Sequence, residues 1–234
     1  MVKTITIIFI RHGEKQFSNN KGPLNSYQHD SPIINNEENL HEIKKTGEKL
    51  IKIYGEPNYC IISPYLRCRE TLKYLLQSNI NPSIYVDPNI SEYLGNQKPY
   101  LINNEKSYVP LVSKETLKFN PPIIRESFED MFLRSNIALE NIFNSISSIK
   151  NIKNNFNETY HQILNDDSNK NNENIVIWVI THGIIISSMY KILSENYDLI
   201  ENYEYNNLWK KSPETLQGLV IIKKFNEDGI FKKF

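Results

Sequence analysis

Largely apolar runs, each bounded by charged or turn residues, constrain the fold of this chain more than any other feature. Three of them span Thr4–Ile10, Tyr59–Ser63 and Ile175–Thr181, and a weaker fourth spans Ser83–Asp87. Short continuous apolar runs are typical of strands that are covered on both faces. Each run is therefore predicted to be a β-strand inside a layered domain.

Amphipathic stretches lie between the predicted strands. Four of them, with apolar residues at spacings of three and four, are predicted to be helices: Leu40–Ile53, Ser63–Leu76, Ser127–Ile149 and Ile184–Leu193. In the second helix, Ser63 is expected to be the cap and Pro64 the first helical residue. The alternation of strands and helices predicts an α/β fold, with a mostly parallel central sheet flanked by helices on both faces.

The remaining segments predict one closing hairpin and two irregular regions. Leu216–Phe225 and Ile230–Phe234 flank a turn with the sequence Asn-Glu-Asp-Gly, which predicts a C-terminal hairpin. Segment 151–174 is rich in Asn, Asp and Lys and is expected to be a solvated polar insertion. Segment 96–122 has scattered aromatic residues among prolines, so we expect a long loop that could cover a site. Residues 1–234 are expected to form a single domain.

Charge and cysteine content argue against several classes of protein. Lys plus Arg and Asp plus Glu both number 27, so no net charge would draw the whole chain to nucleic acid or to an anionic membrane. The apolar run near the N-terminus is too short for a transmembrane helix. Cys60 and Cys68 lack the spacing of a disulfide framework, which favours core thiols in a reducing compartment. We therefore expect a cytoplasmic protein with no nucleic-acid partner and no membrane partner.

Residues able to bind a phosphate group follow three of the predicted strands. Arg11 and His12 come directly after the first strand, and His182 follows the most apolar strand. Arg67 lies in the first turns of the helix after the second strand. Because open α/β sheets bind ligands at their carboxyl edge, we expect these four side chains to meet there. Gly13 is expected to let the backbone turn and approach a ligand.

This set of residues suits a phosphate dianion better than a metal ion. Guanidinium groups repel a divalent cation, and no carboxylate has the spacing of a metal ligand, so we expect no metal and no cofactor. A neutral imidazole can attack phosphorus while guanidinium groups hold the charged oxygens. A general acid must then protonate the leaving oxygen. From spacing alone, Glu92 is one acidic residue among many.

Other polar residues near these motifs are assigned no chemistry. Arg69 and Glu70 are expected to form a solvated face of their helix, pointing away from Arg67. His29, His41 and His161 lie in loops or amphipathic stretches and are expected to be surface residues.

The motifs resemble those of the histidine phosphatase superfamily, which includes the cofactor-dependent phosphoglycerate mutases. The segments similar to its three motifs are Arg11-His12-Gly13-Glu14, Ser63-Pro64 with Arg67 and Thr71, and Thr181-His182-Gly183. The resemblance extends over most of the chain. Within the superfamily, segments 63–68 and 126–128 resemble most the phosphatase domain of the suppressor-of-T-cell-receptor-signalling proteins, a group of protein tyrosine phosphatases.

The resemblance implies a role for each residue of the set. His12 would be the phosphorylated nucleophile, and Arg11, Arg67 and His182 would form the phosphate pocket. The expected activity is hydrolysis of a phosphomonoester through a covalent phosphohistidine. A phosphorylated small molecule or a phosphoprotein is the expected substrate, and a homodimer is an alternative to a monomer because dimers occur in the family.

Two further roles are implied near the pocket. Segment 87–93 resembles the stretch that carries the proton donor, which makes Glu92 the expected acid and Asp87 its competitor. Lys15 stands where some phosphatases of the group carry a second basic residue, so a phosphate contact by Lys15 is left open.

Two alternatives to a hydrolase remain open. The first is a phosphoglycerate mutase or sugar bisphosphatase, although the Trp-Asn pair that follows the first motif in the mutases is replaced here by Lys15-Gln16-Phe17-Ser18. The second is a catalytically silent domain that binds phosphorylated ligands.

Overall fold

Strands and helices alternate in the computed structural model, which describes residues 4–16, 30–76, 78–93, 126–147, 174–196, 216, 218–224 and 231–232. The strands are Thr4–Arg11 (β1), Tyr59–Ile62 (β2), Ser83–Val86 (β3), Asn174–Thr181 (β4), Gly218–Lys224 (β5) and Phe231–Lys232 (β6). The helices are Glu37–Tyr54 (α1), Leu66–Leu75 (α2), Phe128–Ser147 (α3) and Gly183–Asn196 (α4), with a short 3-10 helix at Pro88–Ile90.

These strands form one sheet in the spatial order β3-β2-β4-β1-β5-β6. The pairs among β3, β2, β4 and β1 are parallel, whereas β5 runs antiparallel to β1 and β6 antiparallel to β5. Arg11 at the end of β1 lies opposite Thr181 at the end of β4, so both strands finish at the same level. The predicted α/β fold, its mostly parallel sheet and its C-terminal hairpin are confirmed.

Two apolar clusters cover the two faces of the sheet. Ile5, Ile7 and Phe9 of β1 belong to the cluster that includes α3 and α4, while Ile8 and Ile10 belong to the cluster that includes α1 and α2. Consecutive side chains of a strand point to opposite faces, so a strand covered on both faces is apolar throughout. Burial of this surface stabilises the fold by about 25 cal/mol per Å² of apolar area.

The helix that carries Arg67 begins later than predicted. Ser63 is not its cap, because α2 begins at Leu66 after Tyr65 in extended backbone. The Leu66 amide donates to Oδ1 of Asp30 at 2.6 Å. A carboxylate from a distant segment therefore accepts a hydrogen bond from the first backbone amide of this helix. The Ser63 hydroxyl instead takes part in the site described below.

The prediction that Arg69 and Glu70 form a solvated face is wrong. Arg69 is 5% exposed, and Glu70 is half-buried and accepts a hydrogen bond from the Ile33 amide at 2.9 Å. Burial lowers the pKa of Arg69, while the nearby Asp30 and Glu70 carboxylates oppose this shift. The segment that contains Asp30 and Ile33 thus packs against a part of α2 that helical spacing alone assigns to solvent.

Some predicted features lie outside the described residues: the covering loop at 96–122, the polar insertion up to residue 173, His29 and His161. His41 is exposed on α1, as predicted. Cys60 and Cys68 are buried free thiols, which agrees with the expected core positions. Among the described helices, none combines the length and the apolar character needed to span a membrane.

Candidate active site

Separate segments bring the predicted histidines and arginines to the carboxyl edge of the sheet. Arg11 ends β1, His12 follows it, His182 follows β4, and Arg67 lies in the first turn of α2. The His12 amide donates to the Thr181 carbonyl at 3.0 Å, which ties the ends of β1 and β4 together. The ring centroids of His12 and His182 lie 5.2 Å apart.

His12 is held as a neutral imidazole with a defined tautomer. Burial, together with the charge of Arg67, holds its pKa well below the ordinary value. Its Nδ1 lies 2.7 Å from the Gly13 carbonyl oxygen, and its Nε2 lies 3.2 Å from Nε of Arg67. A carbonyl only accepts and a guanidinium only donates, so Nδ1 carries the proton and Nε2 the lone pair. This form of imidazole can attack phosphorus through Nε2.

Arg67 contacts His12, Glu92 and His182. Its side chain is 2% exposed. In addition to the contact with His12, its Nη2 donates to Oε2 of Glu92 at 3.1 Å and lies 3.2 Å from Nδ1 of His182. Its Cζ lies 4.4 Å from the ring centroid of Tyr65, a cation–π contact that supports the guanidinium from one side. A guanidinium held in this way can donate to two oxygens of one phosphate group.

His182 is buried between a hydroxyl and a carboxylate. Burial lowers its pKa to about 4, although the neighbouring Glu92 opposes the shift. Its Nε2 lies 2.8 Å from Oγ of Ser63, and its Nδ1 lies 3.2 Å from Oε2 of Glu92. Nδ1 thus faces both an acceptor, the Glu92 carboxylate, and a donor, the Arg67 guanidinium, while the Ser63 hydroxyl can donate to Nε2 or accept from it. Ser63 therefore orients this ring instead of capping α2.

Glu92 reaches the cluster from the segment after β3. Its side chain is 23% exposed, so it also faces solvent. Burial raises the pKa of this carboxyl, but the contacts with His182 and Arg67 outweigh burial and hold the pKa well below its ordinary value. Glu92 is therefore ionised when no ligand is bound. A phosphate dianion bound to Arg67 would weaken that ion pair and add negative charge, and both effects raise the pKa of Glu92.

Asp87, the competing acid, has a structural contact of its own. It is buried, and its Oδ1 accepts a hydrogen bond from the Asn89 amide at 2.8 Å, which caps the 3-10 helix. Glu92 is the acid whose carboxylate oxygen contacts both Arg67 and His182.

Lys15 and Arg11 add positive charge to this region. Lys15 is half-buried, and its backbone forms an isolated bridge with Ile33. Burial lowers the pKa of Lys15, the Glu92 carboxylate opposes the shift, and the charges of Arg67 and Arg11 add to it. These electrostatic interactions place Lys15 near the cluster, and a contact between Lys15 and phosphate stays a prediction.

Gly13 packs closely against a neighbouring side chain and does not have the backbone conformation that glycine favours in turns, and its expected role in the approach of a ligand stays a prediction. Its φ lies outside the left-handed region. A Cβ at this position would lie 2.8 Å from Cδ1 of Ile43. The Gly13 amide donates to Oγ1 of Thr71 at 2.9 Å, and this hydroxyl donates to the Arg67 carbonyl at 2.6 Å. The backbone beside His12 is thus tied to the helical turn that carries Arg67.

The cluster has the side chains of a metal site but the electrostatics of an anion site. One ligand atom from each of His12, Glu92 and His182 lies within 4.8 Å of the others. Arg67 lies among them, 3.2 Å from Nε2 of His12 and 3.1 Å from Oε2 of Glu92. A guanidinium at this place repels a cation and attracts an anion. The three side chains therefore do not fit a metal ion while Arg67 is present.

Two residues that contact this site were not recognised in the sequence. Tyr65 packs beneath Arg67, and its ring also makes an edge contact with His182 at 5.1 Å between centroids. Arg134 on α3 contacts the backbone of the segment that carries Glu92. A signal for Arg134 does exist, because it lies at an otherwise apolar position of an amphipathic helix.

Comparison with a family model identifies the kind of site. The model of the histidine phosphatase superfamily (branch 1) matches residues 7–208, a region that includes every member of the cluster. The chain belongs to the histidine phosphatase superfamily. No curated protein sequence matches this chain. The proposed closeness to the suppressor-of-T-cell-receptor-signalling type stays a prediction.

Several solved structures share the fold. The ecdysone phosphate phosphatase of Bombix mori, in complex with tungstate, is 16% identical with a TM-score of 0.54, over 98% of this chain and 91% of that chain. Phosphoglycerate mutase from Bacillus anthracis str. Sterne is 16% identical with a TM-score of 0.54, over 100% and 92%. YhfR of Bacillus stearothermophilus is 18% identical with a TM-score of 0.53, over 98% and 95%. At these identities the likeness shows the fold alone, and it includes both a phosphatase and a mutase.

Proposed function

We propose that this chain is a phosphomonoester hydrolase that forms a covalent phosphohistidine on His12. The observation that carries the proposal is the state of His12, a neutral ring with its proton fixed on Nδ1 and its Nε2 lone pair facing Arg67. A nucleophile in this state needs no base to remove a proton, and it lies next to the group that would bind phosphate.

In the first step, Nε2 of His12 attacks phosphorus. An N–P bond forms as the bond between phosphorus and the ester oxygen breaks, and protonated Glu92 gives its proton to that oxygen, so that an alcohol leaves. Arg67, Arg11 and His182 hold the non-bridging oxygens, where the negative charge persists. Lys15 is proposed as an additional contact.

In the second step, water replaces His12 on phosphorus. The ionised Glu92 takes a proton from the water as its oxygen attacks, the N–P bond breaks, and inorganic phosphate forms. The electron pair of the N–P bond returns to Nε2. When phosphate leaves, Glu92 loses its proton to solvent, and it takes up a proton again when the next ester binds and raises its pKa. No step requires a metal ion or an organic cofactor.

The neutral His12 and the adjacent Glu92 favour an enzyme over a silent phosphate-binding domain. A binding domain needs the guanidinium groups, but it gains nothing from a buried neutral nucleophile beside a carboxylate. A phosphoglycerate mutase or sugar bisphosphatase would require the same phosphohistidine to return its phosphoryl group to a substrate. We propose hydrolysis, with a phosphorylated small molecule or a phosphoprotein as substrate and the cytoplasm as location.

The test is turnover of p-nitrophenyl phosphate by the wild type and by the His12→Ala variant. We expect the wild type to hydrolyse the ester and the variant to lose about a thousandfold or more in kcat/KM. His41→Ala is the matched control, because His41 is an exposed histidine on α1. Acid-labile phosphate on His12 after a rapid quench would support the covalent route. Equal turnover by the wild type and His12→Ala would exclude it, and conversion of 3-phosphoglycerate without hydrolysis would favour the mutase.

A further inference from the structure

Arg134 makes contacts that the proposed chemistry does not use. Its side chain is 8% exposed. Its Nη1 donates to the carbonyl oxygens of Asn89 and Ser91, both at 2.8 Å, and its Nη2 lies 3.4 Å from the carbonyl oxygen of Glu92. One guanidinium thus gathers three carbonyls from the segment that carries the proposed proton donor.

Glu126 fixes the orientation of this guanidinium. Its Oε1 accepts from Nε of Arg134, and its Oε2 accepts from Nη2 at 3.0 Å. The Glu126 side chain is also 8% exposed. A buried guanidinium is costly unless its charge and its donors are matched, and a two-pronged carboxylate contact matches both. The pair is therefore a rigid unit whose remaining donors point at the backbone near Glu92.

Among the described residues, the hydrogen bonds that the segment makes within itself are all local. In its 3-10 turn, the Ile90 amide donates to the Asp87 carbonyl at 3.4 Å and the Ser91 amide donates to the Pro88 carbonyl at 3.1 Å. The first of these hydrogen bonds is long, and both join residues three apart in sequence. From outside, Oγ1 of Thr181 donates to the Ile90 carbonyl at 2.6 Å. Thr181 on β4 and Arg134 on α3 together bind the carbonyls of four consecutive residues, 89 to 92.

We infer that Arg134, oriented by Glu126, is a positioning residue for the proton donor. It holds the backbone at residues 89 to 92 so that the Glu92 carboxylate reaches both Arg67 and His182. The inference rests on the proposed function, in which Glu92 protonates the leaving oxygen. A displacement of about 1 Å in a catalytic group is enough to cost a large factor in rate.

The experiment compares two esters of similar shape, p-nitrophenyl phosphate and phenyl phosphate. Phenolate is the more basic leaving group, so its departure depends more on a proton donor. We expect Arg134→Lys, which keeps the charge but loses the fork, to lower kcat/KM for phenyl phosphate about tenfold more than for p-nitrophenyl phosphate. Glu92→Gln should show the same selective loss.

Two comparisons separate positioning from a general loss of structure. Because Arg134 acts through Glu92, the double variant Glu92→Gln with Arg134→Lys should be no slower on phenyl phosphate than Glu92→Gln alone. Arg69→Lys is the matched control, since it alters another buried guanidinium, and any loss there should be equal for both esters. Equal losses on both esters in Arg134→Lys, or fully additive losses in the double variant, would overturn the inference.

Hydrogen exchange supplies a measurement that needs no turnover. Arg134→Lys should speed exchange of the amides at residues 89 to 92 about tenfold or more and leave those of α2 at the wild-type rate. Unchanged exchange at residues 89 to 92 contradicts the inference. If the wild type is inactive but Arg134→Lys still shows faster exchange only at residues 89 to 92, the result contradicts the proposed function and not the positioning role of Arg134. If Arg134→Lys does not fold, Glu126→Gln is measured in its place, with the same pattern expected at smaller size.

Discussion

Nε2 of His12 accepts a hydrogen bond from Nε of Arg67 at 3.2 Å. The atom proposed to attack phosphorus is therefore held against the group proposed to bind phosphate. A phosphate group that takes the guanidinium as its own partner releases the lone pair of Nε2 at the same time. We therefore expect binding of the substrate and exposure of the nucleophile to be a single event in this site.

Replacement of Arg67 by lysine tests this relationship. Lysine keeps the positive charge but loses Nε and the planar fork, so it cannot face His12 and hold two phosphate oxygens together. We expect kcat/KM for p-nitrophenyl phosphate to fall about a hundredfold or more, with most of the loss in kcat. Thermal unfolding of the variant serves as the control for folding. Near wild-type kcat in Arg67→Lys would show that charge alone is sufficient.

The pH dependence of activity follows from the lowered pKa of His12. Burial and the charge of Arg67 hold the pKa of this ring well below its ordinary value of 6.5, so the ring is neutral at pH 6.5. Because the neutral ring is the active form and p-nitrophenolate depends little on a proton donor, kcat/KM for its ester should not fall as the pH is lowered through 6.5 and should decline only at more acidic pH. A pH profile of the free enzyme, measured with p-nitrophenyl phosphate, checks this. An acid limb centred near 6.5 would mean that His12 titrates like an exposed histidine.

The high-pH side of the profile should report Glu92 in the complex. Protonated Glu92 is the active form in the first step, so kcat for phenyl phosphate should fall as pH rises through the raised pKa of the bound state. In Glu92→Gln this dependence on pH should disappear, because glutamine does not titrate. Persistence of the same alkaline limb in Glu92→Gln would assign it to another group, and Asp87→Asn is the variant to examine next.

Activity should survive removal of divalent metal ions. The three side chains that could act as ligands surround a guanidinium, which takes the place of a cation. We therefore expect unchanged kcat for p-nitrophenyl phosphate in excess chelator. Loss of activity that returns on addition of one divalent ion would contradict this expectation.

The sheet and the ends of its strands could be predicted because they depend on local patterns. Residues 4–10 and 175–180 are apolar on both faces of their strands, and the residues that follow such strands must lie at the carboxyl edge. The sequence therefore predicts that His12 and His182 lie at one edge of the sheet. Parallel pairing of β1 and β4 then sets both histidines at the same level.

The features that could not be predicted depend on contacts between distant parts of the chain. The segment that carries Glu92 is bound from distant parts of the chain, by Thr181 at the Ile90 carbonyl and by Arg134 at the Glu92 carbonyl. The Asp30 carboxylate accepts a hydrogen bond from the Leu66 amide at the start of α2, whereas the local sequence predicts Ser63 as the helix cap. In both cases long-range hydrogen bonds outweigh a weak local signal, and spacing along the chain carries no information about them.

Gly13 offers a test of how tightly the site depends on packing behind it. In Gly13→Ala the new Cβ would lie 2.8 Å from Cδ1 of Ile43, a contact that forces the Ile43 side chain or the backbone beside His12 to move. We expect the free energy of unfolding to fall by about 1–3 kcal/mol and kcat to fall as well. Ile43→Val removes Cδ1 and alone should cost about 1 kcal/mol.

The double variant Gly13→Ala with Ile43→Val distinguishes packing from a backbone requirement. If the clash with Cδ1 is the cause, the double variant should be more active than Gly13→Ala and less destabilised than the sum of the two single changes. Chemical unfolding and turnover of p-nitrophenyl phosphate measure the two effects. Additive losses would show instead that alanine disturbs the backbone between His12 and the Thr71 hydroxyl, whose hydrogen bond to the Gly13 amide would then be the contact that matters.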